Sequence, residues 1–198
     1  MSAEHARLIG NLLMIGVVRE LDEAAARVRV DADGMLTDWI PWLERRAGPG
    51  VRSWCAPEPG EQVVLACPYG DPGQALVLGS LYQDRFAAPA DSRRRQRTQY
   101  ADGSIVEYDQ ETTTLSVNVG SGSGKVIVNC ASAQVIASES VLLDTPSIKA
   151  TGDLDVTGAI TAGKDISTPG EIKAGAIGLK AHKHTAQGPT APTTPAQA

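Results

Sequence analysis

The stretch TGDLDVTGAITAGKDISTPGEIKA, residues 151–174, carries two periods at once. Leu154, Ile160, Ile166 and Ile172 recur at every sixth position, and the spacing extends back through Ile148, Leu142 and Ile136 to Cys130. The remaining even positions are mostly small or apolar, as at Gly152, Val156, Gly158, Ala162, Gly170 and Ala174, whereas odd positions from Thr145 to Lys173 are mainly Thr, Ser, Asp, Glu and Lys. Strand side chains alternate between two faces, so the even residues face in and the odd residues face out. One large aliphatic and two smaller inward residues, repeated over roughly 20 Å of extended chain, suit the wall of a narrow prism. Such a repeat buries its apolar face only against neighbours. Two architectures provide them: a single-chain hexapeptide β-helix coiled on itself, or three chains wound together.

Carried forward, the even phase reaches His182 and His184 in AHKHT. Inside a single-chain prism two imidazoles are expensive unless each is hydrogen-bonded. Around a threefold axis they converge as six nitrogen donors, an octahedral set that fits a first-row ion such as Fe(II), or Ni or Co, better than a four-coordinate zinc. Ile177 and Leu179 are odd, which places a possible phase reset between Ala174 and Lys180. Asp144 and Lys164 are even and charged. Three like charges on an axis need either a local bulge or an ion, a cation between Asp144 copies and an anion such as chloride between Lys164 copies.

Upstream, AEHARLIGNLLMIG sets Leu8, Leu12 and Ile15 at helical spacing before Gly16, which predicts a helix within residues 1–15. Residues 16–86 read as short strands, with Val28 and Val30 alternating with arginines, punctuated by Gly, Pro and Asp turns, as in a small antiparallel barrel. Residues 87–103 contain Pro89 and the RRRQR cluster at 93–97, and read as a solvated linker rather than a phosphate site, with part of a hairpin at its end and a turn signal in ADGS before IVEYD. The repeat region is assigned to 104–180 and the apex to 181–198, whose AQGPTAPTTPAQA end is too rich in Pro, Thr and Ala to build a core.

Composition narrows the function classes. Of the 198 residues only 4% are aromatic and the formal net charge is -5; of Trp39, Trp42 and Trp54, the first two straddle Pro41 in a context that suits packing in the barrel or its trimer interface, so a nucleic-acid partner is disfavoured. Cys55, Cys67 and Cys130 have no metal spacing, and neither a signal peptide nor a membrane-length apolar run is apparent, which points to synthesis in a reducing cytoplasm. Ser138, Ser140 and Ser147 have no histidine near in sequence, and the third histidine, His5, sits in the predicted helix.

SWCAPEPGEQVVLACPYGDPGQALVLGSLY (53–82) resembles the oligosaccharide/oligonucleotide-binding (OB) type barrel of phage baseplate assembly protein V, the central tail spike of contractile-tailed phages, shared in outline by R-type bacteriocins and VgrG spikes. With the Gly-rich repeat and AIGLKAHKHT (176–185), the resemblance spans almost the whole chain. It implies an all-β fold: a short N-terminal helix and OB-fold-like barrel, then an intertwined trimeric β-helix, a triangular prism, with a metal-bearing apex. It further implies a homotrimer in which His182 and His184 bind one iron, seated on tail-tube and baseplate proteins through helix and barrel. Such a spike pierces the host outer membrane on sheath contraction and belongs to a virion or bacteriocin particle assembled in the bacterial cytoplasm. No enzyme activity, nucleic acid or small-molecule substrate is implied. Two alternatives share features of the chain: a hexapeptide-repeat acyltransferase with a histidine base, and a trimeric adhesin.

Overall fold

Arg27–Ala32 alternates charged and branched side chains, and in the computed structural model, which describes residues 2–120, 122–180 and 183, it forms a strand with Val28, Val30 and Ala32 turned inward. That strand, β2, pairs antiparallel with β1 (Leu13–Asp22), with a bulge between Val18 and Glu20, and with the short β3 (Met35–Leu36). β1 also pairs with β4 (Gln62–Ala66), and β4 with β5 (Leu76–Leu81), giving the order β3-β2-β1-β4-β5.

The sheet closes through Trp39–Leu43. Ile40 exchanges two 2.9 Å backbone hydrogen bonds with Val28 of β2, while Val77 of β5 donates to the Pro41 carbonyl at 2.9 Å and accepts from the Leu43 N–H at 2.8 Å. This seam asks nothing of the Pro41 nitrogen, so proline is tolerated where an ordinary central strand would reject it. Val18, Val28, Val30, Ile40, Val63, Leu65 and Val77 fill the interior, each at most 2% exposed. No aromatic ring is fully buried there; Trp42 packs against the cluster from one side.

The helix predicted within residues 1–15 is shorter than its pattern suggests: α1 spans Ala3–Gly10. Leu13 and Ile15 belong to β1, where they pair with Ala66 and Val64, because joining two neighbours satisfies more backbone than a further helical turn. Gly16 does not stop a helix but lies buried inside β1. A Cβ on it would lie 2.5 Å from Val30 Cγ1 and 2.7 Å from the Asp31 carbonyl oxygen. α1 rests on the Pro68–Gly70 turn, where Gly70, at φ 68°, meets the Leu8 carbonyl so closely that a Cβ would have no room.

The stretch read as a linker, 87–103, contains a strand. β6 (Arg95–Gln99) pairs with β7 (Ile105–Asp109), and β7 with β8 (Thr114–Asn118), forming a separate three-stranded meander. The chain divides into two units, Met1–Ala131 and Ser132–Ala198, so β7 and β8 belong to the first, although the repeat region was assigned from 104.

In the second unit the repeat does not coil on itself. From 122 to 172 the described residues form neither helix nor strand, and the aliphatics of the sixfold spacing are open: Ile136 and Leu142 are each 85% exposed, Leu154 77% and Ile160 69%. Chain order resumes in a hairpin of β9 (Lys173–Ala174) and β10 (Ile177–Gly178), turning at Gly175 with φ 63°.

Candidate functional site

Neither histidine of the predicted metal motif, His182 or His184, lies among the described residues. The structure does bear on the register used to place them. In the hairpin Ala174 pairs with Ile177, Lys173 with Gly178, and Leu179 donates its N–H to the Ile172 carbonyl at 2.8 Å. Directly opposed residues share a face, so beyond Gly175 odd positions join the face that even positions held before it. The phase reset expected between Ala174 and Lys180 is therefore present, and the even register of the repeat does not extend through the turn. Glu171 braces the hairpin by accepting the Lys180 N–H at 2.8 Å, and Lys180 Nζ donates to the Pro169 carbonyl at 3.1 Å.

Asp144 and Lys164 are both exposed in the segment without regular structure, so in one chain neither has an interior to face. Among the described residues no group of three or more His, Cys, Asp or Glu side chains could hold a metal. Imidazole donors from one chain's HxH would supply two ligands, so an octahedral site needs the same pair from other chains.

Three arginines of the cluster are engaged in ion pairs. Arg95 pairs across the meander with Asp109 at 3.3 Å, Arg97 with Glu107, and Arg94 reaches Glu111 at 3.7 Å. Arg97 also donates to the Pro89 carbonyl at 2.9 Å, tying down the chain that leads into β6. Asp109 is held below the ordinary carboxylate range by the Glu111 N–H, with help from Thr112 and Arg95.

The three tryptophans sit at the barrel seam. Trp42 meets Trp54 edge to face with centroids 5.3 Å apart, and Arg29 lies over Trp39 at 5.9 Å. Glu44 organises the loop between them by accepting from Ser53 Oγ at 2.7 Å, the Cys55 N–H at 2.6 Å and Trp42 Nε1 at 3.2 Å, which together lower its pKa, the Ser53 bond most. These rings brace the closure rather than offering parallel platforms for bases. The groove of about 410 Å³ beside Glu58, Glu61, Leu81, Tyr82 and Phe86 engages its acid internally: Ser80 Oγ and the Glu58 N–H both donate to the Glu61 carboxylate. Sequence reasoning missed Glu44 because its partners lie up to eleven residues downstream in a loop with no period.

The closed five-stranded barrel with a short helix at its entrance is the part of the chain that places it in a class, the injector OB domains. Residues 14–82 match the family model of the type VI secretion system/phage-baseplate injector OB domain. The chain is also 35% identical over 192 residues to the spike protein of Escherichia phage P2, covering 91% of this chain and 90% of that protein. The chain belongs to the phage baseplate assembly protein V family of central tail spikes. Its role is accordingly that of a structural component of a phage tail baseplate.

Proposed function

We propose that three copies of this chain wind their repeats into one prism, the central spike of a contractile tail, which is driven through the host outer membrane when the sheath shortens. The observation that carries this reading is the exposure of Ile136, Leu142, Ile148, Leu154, Ile160 and Ile166, each at least 64%, in a chain whose barrel is otherwise closed and filled. Six-residue spacing with an apolar inner face has a physical purpose only when neighbouring walls cover it. A wall hydrogen-bonded between chains has no free edge and resists buckling, as a point under axial load must. No helix among the described residues is long and apolar enough to cross a membrane.

At the tip, His182 and His184 lie beyond the turn that ends the even register, and it is family likeness rather than phase that would bring the pair from three chains together as six imidazoles on one octahedral ion, iron; the bound ion would tie the chain ends together, and its binding energy would become folding energy. Asp144 and Lys164 copies would meet near the axis, where a cation and a chloride respectively would offset their charge. α1 and the barrel seat the spike on tail-tube and baseplate proteins. Assembly takes place in the bacterial cytoplasm, and the particle is a phage tail or a headless bacteriocin of the same build.

The test is light-scattering mass with metal analysis on one chromatographic peak. A mass of three chains holding about one iron, with the iron lost in His182→Ala/His184→Ala, is the expected result. A metal-free monomer would overturn the reading and return attention to the acyltransferase alternative.

A further inference from the structure

Residues 44–55, ERRAGPGVRSWC, form an arm between the barrel seam and β4. Its two limbs pair at Ala47 and Arg52. The Ser53 N–H donates to the Arg46 carbonyl at 2.9 Å and the Gly48 N–H to that of Val51 at 3.1 Å, with Pro49 and Gly50 at the tip. Glu44 locks the base by accepting from Ser53 Oγ at 2.7 Å and from the Cys55 N–H at 2.6 Å. Arg45, Arg46 and Arg52 all stand exposed on this arm, which holds no acid besides the engaged Glu44. Other arginines have partners: Arg7, Arg19, Arg29, Arg94, Arg95 and Arg97 form ion pairs, Arg27 donates to two carbonyls and Arg85 lies over Phe86. Among the described residues the three arm guanidiniums meet no carboxylate, carbonyl or ring. We propose that the arm is a docking site for a carboxylate-rich segment of another protein.

Charge selects the occupant. The chain carries a formal net charge of -5, so a long polyanion such as nucleic acid is repelled by the molecule as a whole, whereas a short acidic segment need meet only the arm. Guanidinium forks match carboxylates two bonds at a time. The same arm of a second copy is a poor occupant, because it would set arginine against arginine. Alternation about the Ala47–Arg52 pair puts Arg52 and Trp54 on one face. Trp54 is 59% exposed yet steadied edge to face by Trp42, so an ordered aromatic stands beside the charges, the residue types in which interfaces concentrate their binding energy. Glu44 and the limb bonds fix the arm in advance, so docking orders little chain. The inference rests on the seating of the barrel against other tail proteins proposed above, names the chemistry such a partner must show, and is independent of the prism.

The experiment titrates fluorescein-labelled decaglutamate with the full-length chain in dilute buffer and follows anisotropy. Three proteins are compared: wild type, Arg45→Gln/Arg46→Gln/Arg52→Gln, and a charge-matched control, Arg93→Gln/Lys125→Gln/Lys149→Gln, whose cations are exposed and outside the arm. All three tryptophans lie in the barrel region, so their fluorescence reports whether the barrel remains folded in each. Wild type should bind, the control should keep its affinity within about twofold, and the arm variant should bind about tenfold more weakly. Absence of wild-type binding, or equal weakening in both variants, would overturn the proposal. Tighter arm-dependent binding of a labelled deca-thymidylate would make the occupant a phosphate chain and overturn it as well. The same samples are weighed by light scattering. An arm variant that falls from three chains to one would make the arm a contact between copies, against the proposal. Three chains without peptide binding would remove this inference and leave the spike reading, whereas a single chain with arm-dependent binding would do the reverse.

Discussion

Replacing Gly16 by alanine separates the two readings of the N-terminal segment. As the end of a helix, Gly16 would tolerate the methyl group at a cost of tenths of a kcal/mol. As observed, the new Cβ would stand 2.5 Å from Val30 Cγ1 and 2.7 Å from the Asp31 carbonyl oxygen. The valine can rotate, but the carbonyl belongs to a strand paired with β1, so β1 and β2 must separate by several tenths of an ångström. Overpacking of this kind costs about 1–3 kcal/mol, and the backbone contact puts it near the top. Alanine also stiffens the unfolded chain, returning about 0.5–1 kcal/mol. The net loss is about 2 kcal/mol. With a urea slope near 1 kcal/mol/M, at the small-domain end of the range, the midpoint should fall by about 2 M. Tryptophan fluorescence follows the transition, since Trp42 packs on the barrel core. Gly10→Ala is the matched control: nothing lies within 4 Å of its added Cβ, so its midpoint should hold or rise. Equal midpoints for the two variants would refute the placement of Gly16 against β2.

Gly70→Ala should unseat α1 from the Pro68–Gly70 turn, because the methyl group collides with the Leu8 carbonyl and φ is 68°; faster hydrogen exchange confined to residues 3–12 would register it. Thr37→Val leaves the Val30 N–H without the Oγ1 acceptor it now has at 3.0 Å, a loss of about 1–3 kcal/mol in the same urea assay. Asp31, Asp71 and Asp102 are each held below the ordinary range, first by Arg19, Gln74 and the Ser104 N–H respectively. A depressed folded-state pKa gives stability that is complete above the unfolded value and disappears as pH falls through the folded one. The urea midpoint should therefore hold from neutrality to about pH 5 and decline below about pH 4.

The barrel strands were legible where local alternation and burial coincide, as at Val28 and Val30 between arginines. Leu8, Leu12 and Ile15 also fit a helix, but Leu13, Ile15 and Val17 equally fit a strand, and pairing with Val64 and Ala66 some fifty residues away decided between them. The turn before Ile105 signalled part of a hairpin, but the reach of β6 back through RRRQR was not legible because that run has no apolar alternation; its partners are the carboxylates of Asp109 and Glu107, visible only once β7 folds back. The seam at Ile40–Trp42 was hidden by Pro41, whose nitrogen the ladder leaves out. For the candidate site, the alternation of the repeat could be read directly, and the phase reset was flagged by the odd Ile177 and Leu179, but the turn at Gly175 that causes it follows from pairing rather than composition.

The contrast between a barrel that closes within one chain and a repeat that remains open has a consequence in time. The barrel needs only residues 13–81, so it can form while the ribosome is still adding the rest, at a rate independent of how many other chains are present. In the proposed trimer, residues 122–172 wait for an encounter, and that waiting time lengthens as the chain becomes scarce. During it, a row of leucines and isoleucines is open to any hydrophobic surface in the cell. Synthesis from one crowded message, where sister chains emerge side by side, shortens the interval; dilute expression of a single copy prolongs it and raises the yield of aggregates at the expense of finished particles.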